Sequence, residues 1–406
     1  MSVQISNQTS VSAIEKSAKI AKKGRAKKIA LLLSSTLTIM SGATISPSLP
    51  QMAEVFQDVP GAVFLSKLIL TLPALCIALF APLAGLMTDR LGRLKVLFPA
   101  LVLYAIAGSS GFFLQNLYLI LAGRAALGIA VAGVMTVVIT LVGDYYKGEE
   151  RQRFIGQQSA FMALGGAVYV GIGGFLADLH WSYPFLLYLS ALIFLVVNVL
   201  ALEEPDTTPD ESAPPASGLS EGFKKVWPVL LVALLTMGIF YMLPVQLPFF
   251  LKEIGLGKNS QAGLAIACST LASAVTALFY GKIRQRLDLF QVFAVVFSFM
   301  ATGYLLAAMS SNMASVMVAM VFTGLGMGAL MPNISTWLLQ IASPADRGRF
   351  SGWLNSSLFL GQFLSPVLVR PVVNIFGLKE AFLTAGVVLV FIMLFFILKN
   401  AGVLRK

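Results

Sequence analysis

The residues with chemistry to offer in this chain are charges set in unusual places. Gly85-Leu-Met-Thr-Asp89-Arg90-Leu-Gly92-Arg93-Leu-Lys95 gathers one carboxylate and three cations between two long apolar runs. Charge this dense cannot enter hydrocarbon, so the segment is a short loop at a water boundary. There Asp89 has two chemical options. It can form an ordinary loop ion pair, worth under about 1 kcal/mol, or it can meet a helix N-terminus, whose partial positive charge favours a carboxylate. Arg124 and Lys67 are different, because each interrupts an apolar run, about seven and about six residues in. A cation there finds partners inside the protein or snorkels to the boundary. Catalytic constellations are missing. His180 is the only histidine, Cys76 and Cys268 fall inside apolar runs as free thiols, and no G-x-x-x-x-G-K-[ST] loop offers to cradle a nucleotide phosphate. No enzyme, cofactor or metal centre is expected.

Such charges must be positioned by long apolar helices. Hydrophobic residues make up 57% of the chain and charged residues 12%, against about 25% charged in an average soluble domain. So few charges cannot cover a water-soluble fold of 406 residues. Stretches able to cross about 30 Å of hydrocarbon recur at 29–47, 61–86, 96–114, 117–142, 154–177, 183–202, 226–251, 261–280, 290–308, 313–338, 350–371 and 381–398. All should be helices, since lipid offers nothing to satisfy a bare backbone. The fold class is therefore an all-α membrane protein, twelve transmembrane helices in two pseudo-symmetric six-helix bundles. The divisions are a basic tail over 1–28, read as disordered, a bundle over 29–202, a linker over 203–224, a bundle over 225–399 and a tail over 400–406. The linker rests on Glu203 to Gly218, a polar stretch with five acids and four prolines.

A net charge of +11 invites a nucleic-acid reading, and its distribution rejects it. With twelve spans, 23 of the 29 lysines and arginines fall in the tails and loops of one side. The positive-inside rule places that side, with both termini, in the cytoplasm of a cell (inner) membrane. The tail cluster Lys22, Lys23, Arg25, Lys27 and Lys28 suits contact with anionic lipid of the bilayer. The apolar run after it is too long for a signal-peptide core and is read as a retained helix.

The charged loop reads G-x-x-x-D-R-x-G-R. That pattern resembles the loop between the second and third helices of the major facilitator superfamily, and a weaker echo, Gly281-Lys-Ile-Arg-Gln285-Arg286-Leu287-Asp288, lies 196 residues on. Glu150-Arg151-Gln-Arg153-Phe154 likewise matches Asp346-Arg347-Gly-Arg349-Phe350. The resemblance covers residues 28–400 and implies parallel repeats with a substrate site between them near the midplane. It further implies that Gly85, Asp89, Arg90, Gly92 and Arg93 latch the halves on the cytoplasmic side, beside the start of the eleventh span near Gly348 to Ser351. Gln285 and Asp288 depart from the pattern, so the second copy is read as structural. Arg124 and Gly128 match the R-x-x-x-G of the family's fourth helix, which implies proton coupling or substrate handling. Drug/proton antiporters of the family show G-x-x-x-G-P-x-x-G-G in the fifth helix. Here Gly165, Gly173 and Gly174 remain, but Tyr169-Val170 stands where Gly-Pro would be, so a proline kink is lost and a glycine packing face is the alternative reading. Pro47-Ser-Leu49-Pro50 and Ser357 to Pro366 are similar to the twelve-helix drug-exporter branch.

None of the 18 acids lies at mid-depth in a span. Sites for a coupling proton are then the helix-end acids Glu54 and Asp144, or Lys67, for which snorkelling is the competing reading. The family lines its cavity with the first, fourth, seventh and tenth helices, which supplies Met40, Ser41, Thr44, Met135, Thr136, Met237, Tyr241, Gln246, Met327, Met331 and Asn333. Methionine-rich, aromatic-containing pockets suit varied apolar ligands. The expectation is a monomeric secondary transporter that exports small amphipathic or lipophilic compounds, with the proton as coupling ion. A dedicated metabolite or siderophore exporter, an anion uptake carrier using Arg124 and Arg370, and a non-transporting receptor are the alternatives.

Overall fold

The computed structural model describes the backbone of residues 2–205, 219–343 and 346–401, and the side chains of residues 23–205, 222–343 and 346–401. Among them, twelve segments are long and apolar enough to cross a bilayer: Lys23–Val55, Ala62–Leu91, Arg93–Phe113, Leu117–Tyr145, Gly148–Leu179, Tyr183–Ala201, Gly222–Glu253, Asn259–Arg286, Leu289–Ala308, Met313–Ile341, Arg347–Phe376 and Leu378–Asn400. We call them the first to twelfth spans. Successive spans alternate in direction, so both chain ends and the connection between the sixth and seventh spans share one side. We call it the terminal face and its opposite the distal face.

Two expectations meet a different backbone. The tail read as disordered is helical from Ser2, continuous with the first span to Ala43. Alanine and lysine are good helix formers, and the tail is rich in both. The helix leading into the seventh span begins at Leu219, inside the expected linker. Of that linker, residues 206–218 lie outside the described residues. The first span does not run straight. After Ala43 a 3₁₀ turn over Ser46–Ser48 leads to a short helix over Leu49–Val55, because Pro47 and Pro50 supply no N–H to continue the preceding ladder.

Each bundle has its own apolar core. Leu37, Leu101, Tyr104, Phe185 and Tyr188 are buried in the first. In the second, Phe396 stacks on Phe293 at 4.6 Å and on Phe297 at 5.6 Å. The duplication extends to contacts. A Cβ on Gly128 would stand 2.5 Å from the Pro73 carbonyl oxygen, and one on Gly324 would stand 2.1 Å from that of Ser269. Both glycines let a fourth-in-bundle helix press against the second-in-bundle helix at backbone distance.

Prolines within the spans organise cross-helix bonding. A helical proline has no N–H for the carbonyl four residues earlier, and in lipid that oxygen needs another donor. Pro73 strands the Ile69 carbonyl, which accepts from Arg124 Nε at 3.0 Å. Pro82 strands that of Ala78, met by Ser356 Oγ at 3.5 Å. Pro244 strands that of Phe240, met by Tyr304 Oη at 3.4 Å. Pro248 strands that of Pro244 itself, which accepts from Ser46 Oγ. The Ser356 and Ser46 bonds join the two bundles.

The bundles meet chiefly through the fifth and eighth spans. Cβ atoms at Gly166, Gly173 and Gly174 would collide with Ile39, the Thr44 carbonyl and the Asn259 carbonyl, at 2.5, 2.3 and 3.0 Å. The glycine stripe therefore packs helices, on a fifth-span helix over Gly148–Leu179 with no internal proline. Toward the distal face the bundles are stitched together. Glu54 pairs with Lys252, and Asp178 accepts the backbone N–H groups of Asn259 at 2.6 Å and Ser260 at 3.2 Å, capping the eighth span. Tyr241 Oη donates to the Gly42 carbonyl at 2.6 Å. Among the described residues, no hydrogen bond or ion pair between the bundles lies nearer the terminal face than Ser356 to Ala78, near mid-depth. At the terminal ends of the fifth, eighth and eleventh spans, Cβ atoms on Gly156, Gly281, Gly348 and Gly352 would touch nothing within 4 Å. The bundles are closed distally and part toward the terminal face.

Candidate functional site

Beneath the distal contacts, a cavity of about 300 Å³ opens between the bundles. The first span contributes Thr38, Ile39, Ser41 and Gly42, and the seventh contributes Met237, Phe240 and Tyr241. The tenth adds Met320 and Met327. The second span adds Leu70, Pro73, Ala74 and Ile77, the eighth adds Ser269, Thr270 and Ser273, and the eleventh adds Phe359 and Gln362. No acid and no cation lies in this wall. Its polar groups are hydroxyls and one amide, enough to orient a ligand without demanding a charge.

Of the eleven residues expected there from the sequence, Ser41, Met237, Tyr241 and Met327 are on the wall. The others stand elsewhere. Met40 is fully buried in the first bundle, and its carbonyl accepts from Thr44 Oγ1 at 2.7 Å. Met135 packs against the core of the first bundle and Met331 against that of the second. Thr136 faces Gly85, whose Cβ would lie 3.9 Å from its methyl. Asn333 donates to the Leu289 carbonyl and accepts from Tyr280 Oη, both at 3.1 Å. Gln246 lies in a second, distal pocket with Lys67. The second, eighth and eleventh spans were missed. One signal for the eighth was present: Ser269, Thr270 and Ser273 form a one-face polar cluster in an apolar helix.

Arg124 does not snorkel. It is fully buried, with Nε on the Ile69 carbonyl at 3.0 Å and Nη2 on the Ser41 carbonyl at 2.8 Å and on Tyr188 Oη at 3.1 Å. Its guanidinium also sits 4.9 Å over the Tyr188 ring. Ser41 is in the last turn of the helix ending at Ala43, where carbonyls lack intrahelical donors and a cation is favoured. One side chain thus ties the first, second, fourth and sixth spans, and Gly128 one turn on permits the close approach. Nη1 has no hydrogen-bond partner.

Lys67 also departs from the snorkelling expectation. It is 7% exposed, and its Nζ lies 4.6 Å from the centre of the Phe249 ring. The seventh span covers the route that a free helix would leave open to water.

At the terminal face, Gly92 has φ +103°, a backbone that favours glycine. The turn lets Glu204 accept the N–H groups of Arg93 and Leu94 and so cap the third span. Arg93 Nε bonds Asp144 Oδ2 at 3.0 Å, and its Nη1 is 3.9 Å from Asp89 Oδ1. Lys23 and Lys27 donate to Glu203 and hold its carboxyl below the usual carboxylate range. Asp89 is 72% exposed and Arg90 is exposed. Among the described residues, no hydrogen bond or ion pair joins Asp89 to the eleventh span. In the second copy, Asp288 and Gln291 form a capping box on the ninth span, a local structural use.

Residues 31–260 and 256–404 match the Major Facilitator Superfamily profile. The chain is 25% identical over 365 residues to a Bacillus subtilis protein named Bacillibactin exporter, covering 83% of this chain and 87% of that one. It is 24% identical over 382 residues to the Multi-drug resistance efflux pump PmrA of Streptococcus pneumoniae, covering 90% and 94%. Its fold is similar to that of a bacterial homolog of the human lysosomal transporter Spinster in an inward-facing, unoccupied conformation. The TM-score is 0.72 at 17% identity, over 94% of this chain and 98% of that one. Two six-helix bundles closed at one face, a cavity between them, and a profile match over almost the whole chain agree: the chain belongs to the Major Facilitator Superfamily and is a multi-pass membrane transporter.

Proposed function

We propose that this transporter exports small amphipathic or lipophilic compounds by alternating access, acting as a monomer. The observation that carries the reading is the largely apolar cavity wall, to which Met237, Met320, Met327, Phe240 and Phe359 contribute and in which no charged side chain appears. Flexible methionines and aromatic faces adapt to varied apolar ligands. A relative named as a multi-drug resistance efflux pump supports it. A relative named for bacillibactin export keeps a dedicated metabolite exporter as the second reading.

The placement of basic residues supports a cytoplasmic terminal face, and with the distal face closed this reading takes the structure as the inward-open, loading state. In this reading Gly85, Asp89, Arg90, Gly92 and Arg93 form the latch that engages the eleventh span when the cytoplasmic side closes. The 72% exposure of Asp89 suits a latch that is released. Arg124 and Gly128 hold the first bundle in register while it rocks.

Flux tests the export reading. Inverted vesicles carrying the protein should accumulate fluorescent amphipathic dyes, and Met237→Trp, which fills the cavity with an indole, should cut accumulation about tenfold while leaving the protein monodisperse. Dye flux unchanged by Met237→Trp would remove the central cavity from the route. Orientation has a separate test. In a background without Cys76 and Cys268, an impermeant thiol reagent added outside cells should label Gln57→Cys and spare Gln152→Cys. The reverse pattern would invert the topology, and with it the direction of export.

A further inference from the structure

Distal to the central cavity lies a second pocket of about 170 Å³. Lys67 of the second span, Gln246 of the seventh and Arg370 and Asn374 of the eleventh line it. The two cations come from opposite bundles, and each rests on an aromatic ring of the other bundle. Lys67 Nζ is 4.6 Å from the centre of Phe249, and Arg370 Cζ is 4.5 Å from that of Phe64. Phe64 and Lys67 are one turn apart on their helix, as are Gln246 and Phe249 on theirs, so each pair shares a face.

The charges do not balance. Among the described residues no ion pair joins an acid to Lys67 or Arg370; Glu54 pairs with Lys252 and Asp178 caps the eighth span, while Asp58, in the loop before the pocket-lining Gly61, is exposed and lies outside the pocket wall. A cation–π contact is worth about 0.5–2 kcal/mol, whereas removing an ammonium from water costs several. Lys67 is nonetheless 7% exposed. Gln246 is 1% exposed; its Oε1 is an acceptor that an anion cannot satisfy, so the amide would meet an oxyanion through its Nε2 donors. Arg370 is exposed and keeps its hydration, so the uncompensated charge is that of the buried Lys67, with a second cation on the same small pocket and no acid in its wall.

We infer that this pocket binds an oxyanion, a phosphate or carboxylate group held between Lys67 and Arg370 with the Gln246 amide beside it, and that the anion bridges the bundles and holds the distal gate shut. The forked guanidinium and the three-donor ammonium match an oxyanion's several acceptors. Departure of the anion leaves the cations repelling across the gate, which favours parting of the distal ends. The central cavity, with no charge in its wall, is a different site. The anion comes from a free small molecule or from a lipid headgroup reaching the seam of the second and eleventh spans. The gate assignment rests on the alternating-access reading, but the binding site does not.

Inorganic phosphate is the probe, titrated into the purified protein in neutral detergent at constant ionic strength set with chloride. In parallel, the protein is placed in phosphatidylcholine nanodiscs with and without phosphatidylglycerol. Thermal midpoint reports binding, and spin labels at Gln57→Cys and Gly257→Cys report the distal gate. The wild type should show a saturable rise in midpoint and a shift toward the shorter label distance. Lys67→Gln and Arg370→Gln should need about tenfold more anion for the same response. Arg370→Glu, which supplies a carboxylate to Lys67 from within, should hold the short distance with no added anion and no further response. An effect of phosphatidylglycerol alone would assign the site to a headgroup, and an effect of phosphate alone to a soluble anion. If neither moves the wild type, or if both single variants respond as the wild type does, there is no oxyanion site. None of these readouts requires flux, so failure of dye export would leave the result standing.

Discussion

Arg124→Ala is expected to abolish flux and to lower stability. The side chain supplies donors to two backbone carbonyls that their own helices cannot satisfy, that of Ile69 stranded by Pro73 and that of Ser41 in the last turn of its helix. An unsatisfied buried polar group costs about 1–3 kcal/mol, and the substitution strands both. It also frees the Tyr188 hydroxyl, which retains only a 3.4 Å contact to the Met40 carbonyl. Helices that must rock as one body would lose the tie between the first, second, fourth and sixth spans. Arg124→Lys should recover little, because one ammonium on a shorter stem cannot span three acceptors set at guanidinium geometry. Thermal midpoint and vesicle flux measured together separate the effects. A variant of wild-type stability and no flux would assign Arg124 to the transport cycle itself, and one with unchanged flux and pH dependence would make the residue dispensable.

Accumulation in inverted vesicles is expected to require a pH gradient, acid in the lumen, and to stop on addition of a protonophore. Concentrative export needs a driving force, and the sequence has no nucleotide-phosphate loop. No acid lines the central cavity, so a coupling proton must act at a gate. Asp144 is bonded to Arg93 inside the first bundle, whereas Glu54 pairs with Lys252 across the distal closure. Protonation of Glu54 from the distal side would remove that pair and loosen the closure, so acid on the distal side is expected to favour parting of the distal ends. Glu54→Gln should then make the closure insensitive to distal pH, read as loss of the pH dependence of dye flux. Full accumulation despite the protonophore would replace the proton with another ion. Equilibration alone under every gradient, in the wild type, would make the protein a facilitator.

The number of spans and their order were legible from the chain. Nine of the twelve expected stretches fall within observed spans and the other three overrun theirs by one residue, because the bilayer imposes on each helix separately a length and an apolarity that local sequence records. The charged loop at Asp89 and the 196-residue repeat are local patterns too, and Gly128 and Gly324 occupy equivalent packing positions as that repeat implies. The helical tail from Ser2 was misread because polarity and net charge were weighed above helix propensity.

What tertiary structure alone decided is what faces what. Periodicity says that Lys67 and Arg124 lie in apolar helices. It does not say that Phe249 covers one, or that proline-stranded carbonyls and a helix end receive the other. Seven of the eleven expected cavity residues turned elsewhere, and the second, eighth and eleventh spans entered the wall. Which helices line a cavity depends on how two bundles rotate against each other. That rotation is set by backbone-distance contacts, such as Gly174 on Asn259 and Gly263 on Val170, and by distal bonds joining residues about 80 to 200 positions apart. Hydropathy is a one-body property of each helix, so a sequence states it outright. The cavity and the closed distal gate are pairwise properties of helices far apart in the chain, and they exist only once the bundles meet.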